Sequence, residues 1–223
     1  MAVFKSSAAP APAPQAGGAG SPRASARGLS LASLTAVIKH LIENGLASRN
    51  VTSQLGGDVT ISALPPDRIP SGGDERAQLN IFLHQVTPHV TLTLSGDGRS
   101  PRVPALAVEL HYLITAYGAQ DYQSEILLGH AIDILHECAS LDRDRIRASL
   151  AALTTTADRR VVAPAVATLA NSDLPDRVDS VQITPEFLSV EDISKLWSAL
   201  QARFRPSITY KVTAVPITAE GER

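Results

Sequence analysis

The chain has 223 residues, 44% of them hydrophobic, and a formal net charge of −2. That is enough apolar material for a sizeable core and no electrostatic footprint for nucleic acid. Its single cysteine, Cys138, excludes an internal disulfide framework and a cysteine-rich metal site, and no apolar run reaches the roughly 18 residues that a membrane span needs.

Residues 1 to 28 are mainly Ala, Pro, Gly and Ser. Pro removes backbone donors and Gly raises the entropy lost on ordering, so this stretch reads as a disordered tail, semi-extended at "APAPAP". It contains no continuous apolar segment of the kind a secretory signal requires. The folded part is expected from residue 29 to 218, as one domain, with 219 to 223 as a short tail.

Leu31, Leu34, Val37, Ile38, Leu41, Ile42 and Leu46 recur at three- and four-residue spacing. They predict an amphipathic helix capped by Ser30 and ending near Gly45. "DVTISAL" alternates Val59, Ile61 and Ala63 and predicts a strand stopped by Pro65 and Pro66. "QLNIFLHQV" alternates in the same way, and "VTLTL" at 90 to 94 predicts a further strand before the turn "SGDG" at 95 to 98.

"AVELHYLITAY" follows, with Leu106, Val108, Leu110, Tyr112 and Ile114 on one face and Ala107, Glu109, His111, Leu113 and Thr115 on the other. Ile126, Leu127, Ile134, Leu135 and Cys138 mark a helix for which Asp121 is the candidate cap. A shorter helix is predicted from Arg143 to Leu153, capped by Asp142. Residues 154 to 177 show no clean period and read as loop around one short element.

"DSVQIT" predicts a strand. Ser189 with Asp192 resembles a capping box and opens a helix carrying Val190, Ile193, Leu196, Trp197, Leu200 and Phe204, ended by Pro206. "SITYKVTAVPI" is the last strand. It has Ile208, Tyr210, Val212 and Ala214 on one side and Ser207, Thr209, Lys211 and Thr213 on the other. The sum is an α+β domain, mostly antiparallel sheet flanked by helices.

The sequence has no G-x-S-x-G elbow, phosphate-binding loop, H-E-x-x-H or C-x-x-C. His130 and His136, six residues apart on one helix, face roughly opposite sides and cannot share a metal from there. Glu109 and His111 share a strand face, and with Tyr112 or Cys138 they are the residues a hydrolytic site would use. The competing reading makes them strand-face polar groups bonded to neighbouring strands. Trp197 and Cys138 both fall on apolar helical stripes, where core packing is the ordinary role. Glu191 and Asp192 suit a helix N-terminus without any further function.

Three stretches carry a resemblance: "LNIFLHQVTPH", "VPALAVELHYLITAYGAQDYQSEILLGHAIDIL" and "EDISKLWSALQARFRPSITYKVTAVPI", in that order. Together they resemble the cap, or tube-terminator, proteins of extracellular contractile injection systems, phage-tail-like particles of the antifeeding-prophage and Photorhabdus virulence cassette type. Asn80, His111, Tyr112, Leu113, Trp197, Pro206, Ser207 and Tyr210 occupy places matching the family's pattern. His84 and Gln85 stand where a Tyr or Asp is more common, and the Ala/Pro-rich tail is longer than the family's usual start.

The resemblance implies a structural subunit with no cofactor, metal or catalytic residue. It implies a homohexameric ring on the distal end of the inner tube that ends tube growth and docks the last ring of the contractile sheath. Its partners would be itself, the inner tube protein and the sheath protein, with no nucleic acid and no membrane span. The particle would be assembled in a bacterial cytoplasm and could be released from it. The alternatives are a small hydrolase using Glu109 and His111, or an adaptor that recruits partners through its Pro-rich tail. In a ring subunit the terminal strand is a candidate for pairing with a neighbour, although the plainer reading places it in the monomer's own sheet.

Overall fold

The computed structural model describes residues 30–89, 108–156 and 164–216. The expected tails, the "VTLTL" strand and the "SGDG" turn lie outside these residues. In chain order the elements are α1 (Ser30–Ser48), α2 (Val51–Leu55), β1 (Thr60–Ser62), β2 (Gln78–Pro88), β3 (Val108–Tyr117), α3 (Gln123–Glu137), β4 (Ser140–Asp142), α4 (Arg143–Thr156), α5 (Pro164–Ala170), β5 (Val178–Glu186), α6 (Val190–Ala199) and β6 (Ser207–Pro216). Single 3-10 turns stand at Pro66–Arg68, Gly72–Asp74 and Leu174–Asp176.

The strands form one sheet of six in the order β1-β2-β3-β6-β5-β4. Every neighbouring pair is antiparallel except β1 with β2, which is parallel. The fold is therefore α+β with a mixed rather than purely antiparallel sheet.

Cross-strand partners share a face, which sorts the sheet into two sides. One side carries Leu79, Ile81, Leu110, Tyr112, Ile114, Val181, Ile183, Tyr210 and Val212, all buried in the main core. Helices α1, α3 and α4 supply much of the rest of that core through Val37, Ile38, Ile42, Leu127, Ala131, Ile134, Ile146 and Leu150.

α1 runs past Gly45 to Ser48, so Gly45 does not end the helix. A Cβ there would lie 2.6 Å from both Cδ1 and Cγ1 of Ile134. Gly45 is the point where α1 and α3 approach each other too closely for any side chain.

Two other expectations are corrected. Asp121 does not cap α3: Tyr122, in the left-handed region at φ 67°, precedes that helix and no side chain caps it. α6 stops at Ala199 rather than running on to Pro206, because Gln201 turns left-handed at φ 51°. Phe204 therefore leaves the helix, although its ring returns to within 5.7 Å of the Trp197 ring centroid. β6 lies in the middle of the chain's own sheet between β3 and β5, as the plainer reading had it, so it offers no edge to a neighbour. Two capping expectations hold: Asp142 Oδ1 accepts from Arg145 N–H at 2.8 Å, and Ser189 Oγ accepts from Asp192 N–H at 3.1 Å, whereas Ser30 is the first residue of α1 rather than its cap.

Candidate functional site: the polar face of the sheet

The second side of the sheet carries rows of polar residues across four strands. Gln85, His111, Lys211 and Thr184 form one row, and Thr87, Glu109, Thr213 and Gln182 form the next. An irregularity in the β2–β3 register between Leu83 and Gln85 leaves His84 as the extra residue. Such a bulge shifts the strand's alternation by one. It brings Val86 back to the apolar side and sets Gln85 and Thr87 beside His111 and Glu109.

His111 is 8% exposed and engaged at both ring nitrogens. Its Nδ1 lies 2.8 Å from Glu186 Oε2 and its Nε2 lies 2.9 Å from Thr87 Oγ1. A carboxylate can only accept from a ring nitrogen, so Nδ1 donates to Glu186, and Nε2 shares a hydrogen bond with the Thr87 hydroxyl. His111 thus braces β3 to β2 on one side and to β5, across β6, on the other.

Glu109 sits 2.9 Å from His89 Nδ1, with Lys211 Nζ at 3.5 Å. The His89 hydrogen bond foremost, then Lys211, hold its carboxyl below the usual carboxylate range, although partial burial opposes them. His84 packs its ring 6.2 Å from that of His111, and its Nε2 is buried without a partner. Burial first, and then the neighbouring His111, push the His84 pKa down, while Glu186 acts in the opposite sense.

The other residues named from the sequence are dispersed. Tyr112 is on the helix side of the sheet, fully buried, with its hydroxyl 2.8 Å from Thr35 Oγ1, and burial pushes its pKa well up. Cys138 is buried in the helical core, 2.9 Å from an Arg145 guanidinium nitrogen. The sheet stands between both groups and His111, so the trio of Glu109, His111 and Cys138 does not assemble. Tyr210 is buried on the helix side, its pKa raised chiefly by burial and further by Asp133. Among the described residues no group of three or more His, Cys, Asp and Glu could hold a metal ion.

Asn80 has a definite task. Fully buried on the polar face, its Oδ1 accepts from Ser62 Oγ at 2.7 Å and from Leu64 N–H at 3.0 Å, and its Nδ2 donates to Leu64 C=O at 2.8 Å. It clamps the chain as it leaves β1. Leu113, Thr115 and Ser207 continue this face, with Thr115 and Ser207 directly opposed. The Pro206 carbonyl accepts from Ala116 N–H at 3.1 Å and extends the β3–β6 ladder. Trp197 is 4% exposed and packs on Phe204. Beyond this row the Arg205 guanidinium lies over the Tyr117 ring, 6.0 Å from its centroid, and pairs with Glu75. Burial pushes the Tyr117 phenol up to about 12, with Arg205 opposing and Glu75 assisting.

Sequence reasoning missed Thr87, His84 and Glu186 as neighbours of His111. Alternation through "VQITPE" puts Gln182, Thr184 and Glu186 on one face, which was the available signal. It could not show that β5 lies one strand away from β3.

Residues 33–223 match the Pvc16 N-terminal domain family. The chain belongs to that family. The Pvc16 N-terminal domain thus accounts for the whole described sheet and all but the first three described residues. Among solved structures, this member is similar to the PVC sheath/tube terminator of an extracellular contractile injection system, in its extended state. That likeness is at 20% identity and TM-score 0.39, over 77% of this chain and 56% of the other. It is also similar to the tube-terminating cap of the anti-feeding prophage, at 16% identity and TM-score 0.40, over 80% and 55%. The chain spans just over half the length of either of those proteins. No curated protein sequence matches it. No helix among the described residues is long and apolar enough to cross a membrane.

Proposed function

We propose that this chain is a structural terminator of a phage-tail-like contractile injection system. Copies of it close a ring, a homohexamer in this reading, on the distal end of the inner tube, stop tube growth and meet the last ring of the sheath. The particle is assembled in the bacterial cytoplasm and can then be released. The observation that carries this reading is membership of the Pvc16 N-terminal domain family over residues 33–223, alongside the three sequence stretches that resemble tube terminators. The eight residues matching the family's pattern act in packing and in the polar braces.

The chemistry of the polar face supports a scaffold. His111 hydrogen-bonds to groups on β2 and β5, and Glu109 to His89 just beyond β2, contacts that brace the sheet in this reading. The decisive experiment mixes the purified protein with polymerising tube protein and images the product by negative stain. Tubes that stop at a closed disc of density, with a length distribution that shortens as the protein is added, are expected. Tubes that grow to the same length with bare ends would overturn the reading.

A further inference from the structure

The sheet has two edges, and they are finished differently. β4 pairs with β5 through Ser140–Asp142, and Ile183 N–H continues outward to the Ala139 carbonyl at 2.8 Å. Peptide groups alternate sides along a strand, so the next residue of β5 to face outward is Pro185, which has no N–H. A proline at that place blunts the edge.

The β2 edge has no such guard over its middle. β1 pairs only with Gln78, Leu79 and Asn80, and then the chain turns away, held by the Asn80 clamp. Thr60 N–H donates to the Ala77 carbonyl, so the peptide groups of residues 77, 79, 81 and 83 face outward. Past the bulge at His84 the outward positions become Val86 and Pro88. From Leu83 to Val86 no described strand pairs with this edge. Pro88, lacking an N–H, closes the open stretch.

Directly beside it lies an apolar groove of about 820 Å³. Leu31, Thr35, Ile81, Phe82, Leu83 and Leu169 are among its walls. Phe82 and Leu83 point to opposite faces of the sheet, so a groove that touches both runs along the strand edge itself. An extended segment laid there would gain main-chain hydrogen bonds and bury every second side chain, which is recognition by strand addition.

The sequence supplies one segment of that chemistry. In "VTLTL", Val90, Leu92 and Leu94 continue the alternation of Val86 and Pro88, and Thr91 and Thr93 continue that of Thr87. A return onto the chain's own edge would need a tight turn near Pro88 and His89. The Gly, Asn or Asp that such turns require is absent there and first occurs in "SGDG" at 95 to 98. The alternation of Val90–Leu94 is thus that of an edge-pairing segment, and the sequence holds no turn signal that would return it to its own chain's edge.

We propose that the outer edge of β2 at Leu83–Val86, with the apolar groove beside it, receives residues Val90–Leu94 of a second copy of this chain. The contact is heterologous, each copy giving a segment on one side and accepting one on the other, as a closed ring demands. It rests on the terminator reading and names the surface through which the ring closes.

The test uses two full-length variants in a Cys138→Ala background, Gln85→Cys and Thr93→Cys, carrying different tags and co-expressed. A short bis-maleimide should give a mixed cross-linked dimer carrying both tags, and none when Thr93→Cys is paired with Thr184→Cys on the blunted edge. Replacing residues 90–94 by Gly and Ser should convert the oligomer to monomer at equal concentration, with an unchanged far-UV circular dichroism spectrum. A persistent ring without the mixed cross-link, or one that survives the Gly-Ser replacement, overturns this contact and leaves the terminator reading standing. An unaltered chain that is monomeric at every concentration, alone and with tube protein, overturns both.

Discussion

Asn80 shows how much one buried amide can decide. It satisfies a hydroxyl, a backbone donor and a backbone acceptor at once. Asn80→Ala removes three hydrogen bonds, each with a net worth of about 1 kcal/mol, and leaves backbone groups unpaired. Urea unfolding should show a loss of about 2–4 kcal/mol, with Asn80→Asp also destabilising because it loses the donor. His84 makes a second prediction at this scale. Its folded pKa lies below the ordinary 6.5, so below that pH the unfolded chain binds more protons than the folded one. Stability from this group is therefore full above about 6.5 and falls as pH drops toward the lowered folded value. His40, lowered chiefly by burial, acts in the same direction, and Glu109 extends the loss below pH 4.5. Urea midpoints measured between pH 7 and 5 should decline, and His84→Phe should flatten that decline. An unchanged slope would mean that the buried Nε2 is not the group being titrated. None of this was visible from the sequence, where His84 is simply a polar residue in an alternating run.

At the scale of elements, legibility followed the simplicity of the environment. α1 lies with one face on the core, so its period was plain. "QLNIFLHQV" and "AVELHYLITAY" declared their faces by alternation. α5 was not legible, because "PAVATLA" is uniformly small and apolar and has no polar face to set a phase. The end of α6 was misjudged because Phe204 stands at a helical spacing from Trp197 and Leu200, although the chain reverses at Gln201. Gly45 was read only as a residue near the helix end, whereas the crossing of α1 and α3 requires it. A methyl group at position 45 would relieve the helix of a glycine, worth about 1 kcal/mol, but would collide with the branched body of Ile134. Overpacking of this kind typically costs about 1–3 kcal/mol, so Gly45→Ala should be neutral to clearly destabilising. In an Ile134→Ala background the same change should become stabilising. The coupling in that double-mutant cycle checks the contact, and a coupling near zero would show that the helices separate freely.

The order of the strands is the property of the whole molecule that the sequence hid most completely. An alternating strand with Ser207, Thr209, Lys211 and Thr213 on one side reads the same whether it lies at an edge or in the centre. Its polar residues suggest solvent, yet Thr209 is 3% exposed and its hydroxyl bonds the Glu186 carbonyl. In the fold, β6 joins two halves: β1, β2 and β3 on one side, β5 and β4 on the other. The half-sheets touch through it, and both Tyr210 and Val212 enter the shared core. β6, the last of the six described strands in chain order, is therefore the one that completes the hydrogen bonding of β3 and β5 together. A chain ended after Arg205 would leave two sheet fragments, with one newly unpaired edge on β3 and one on β5, and no continuous core between them. Such a chain should show neither a cooperative urea transition nor the blue-shifted emission of Trp197, the only tryptophan, which is buried in the complete fold. Supplying residues 206–223 as a separate peptide should restore both signals in a saturable manner, because the slot between β3 and β5 accepts one antiparallel partner on each side. A truncated chain that unfolds cooperatively without the peptide would show that the two halves are independent and that β6 only decorates them.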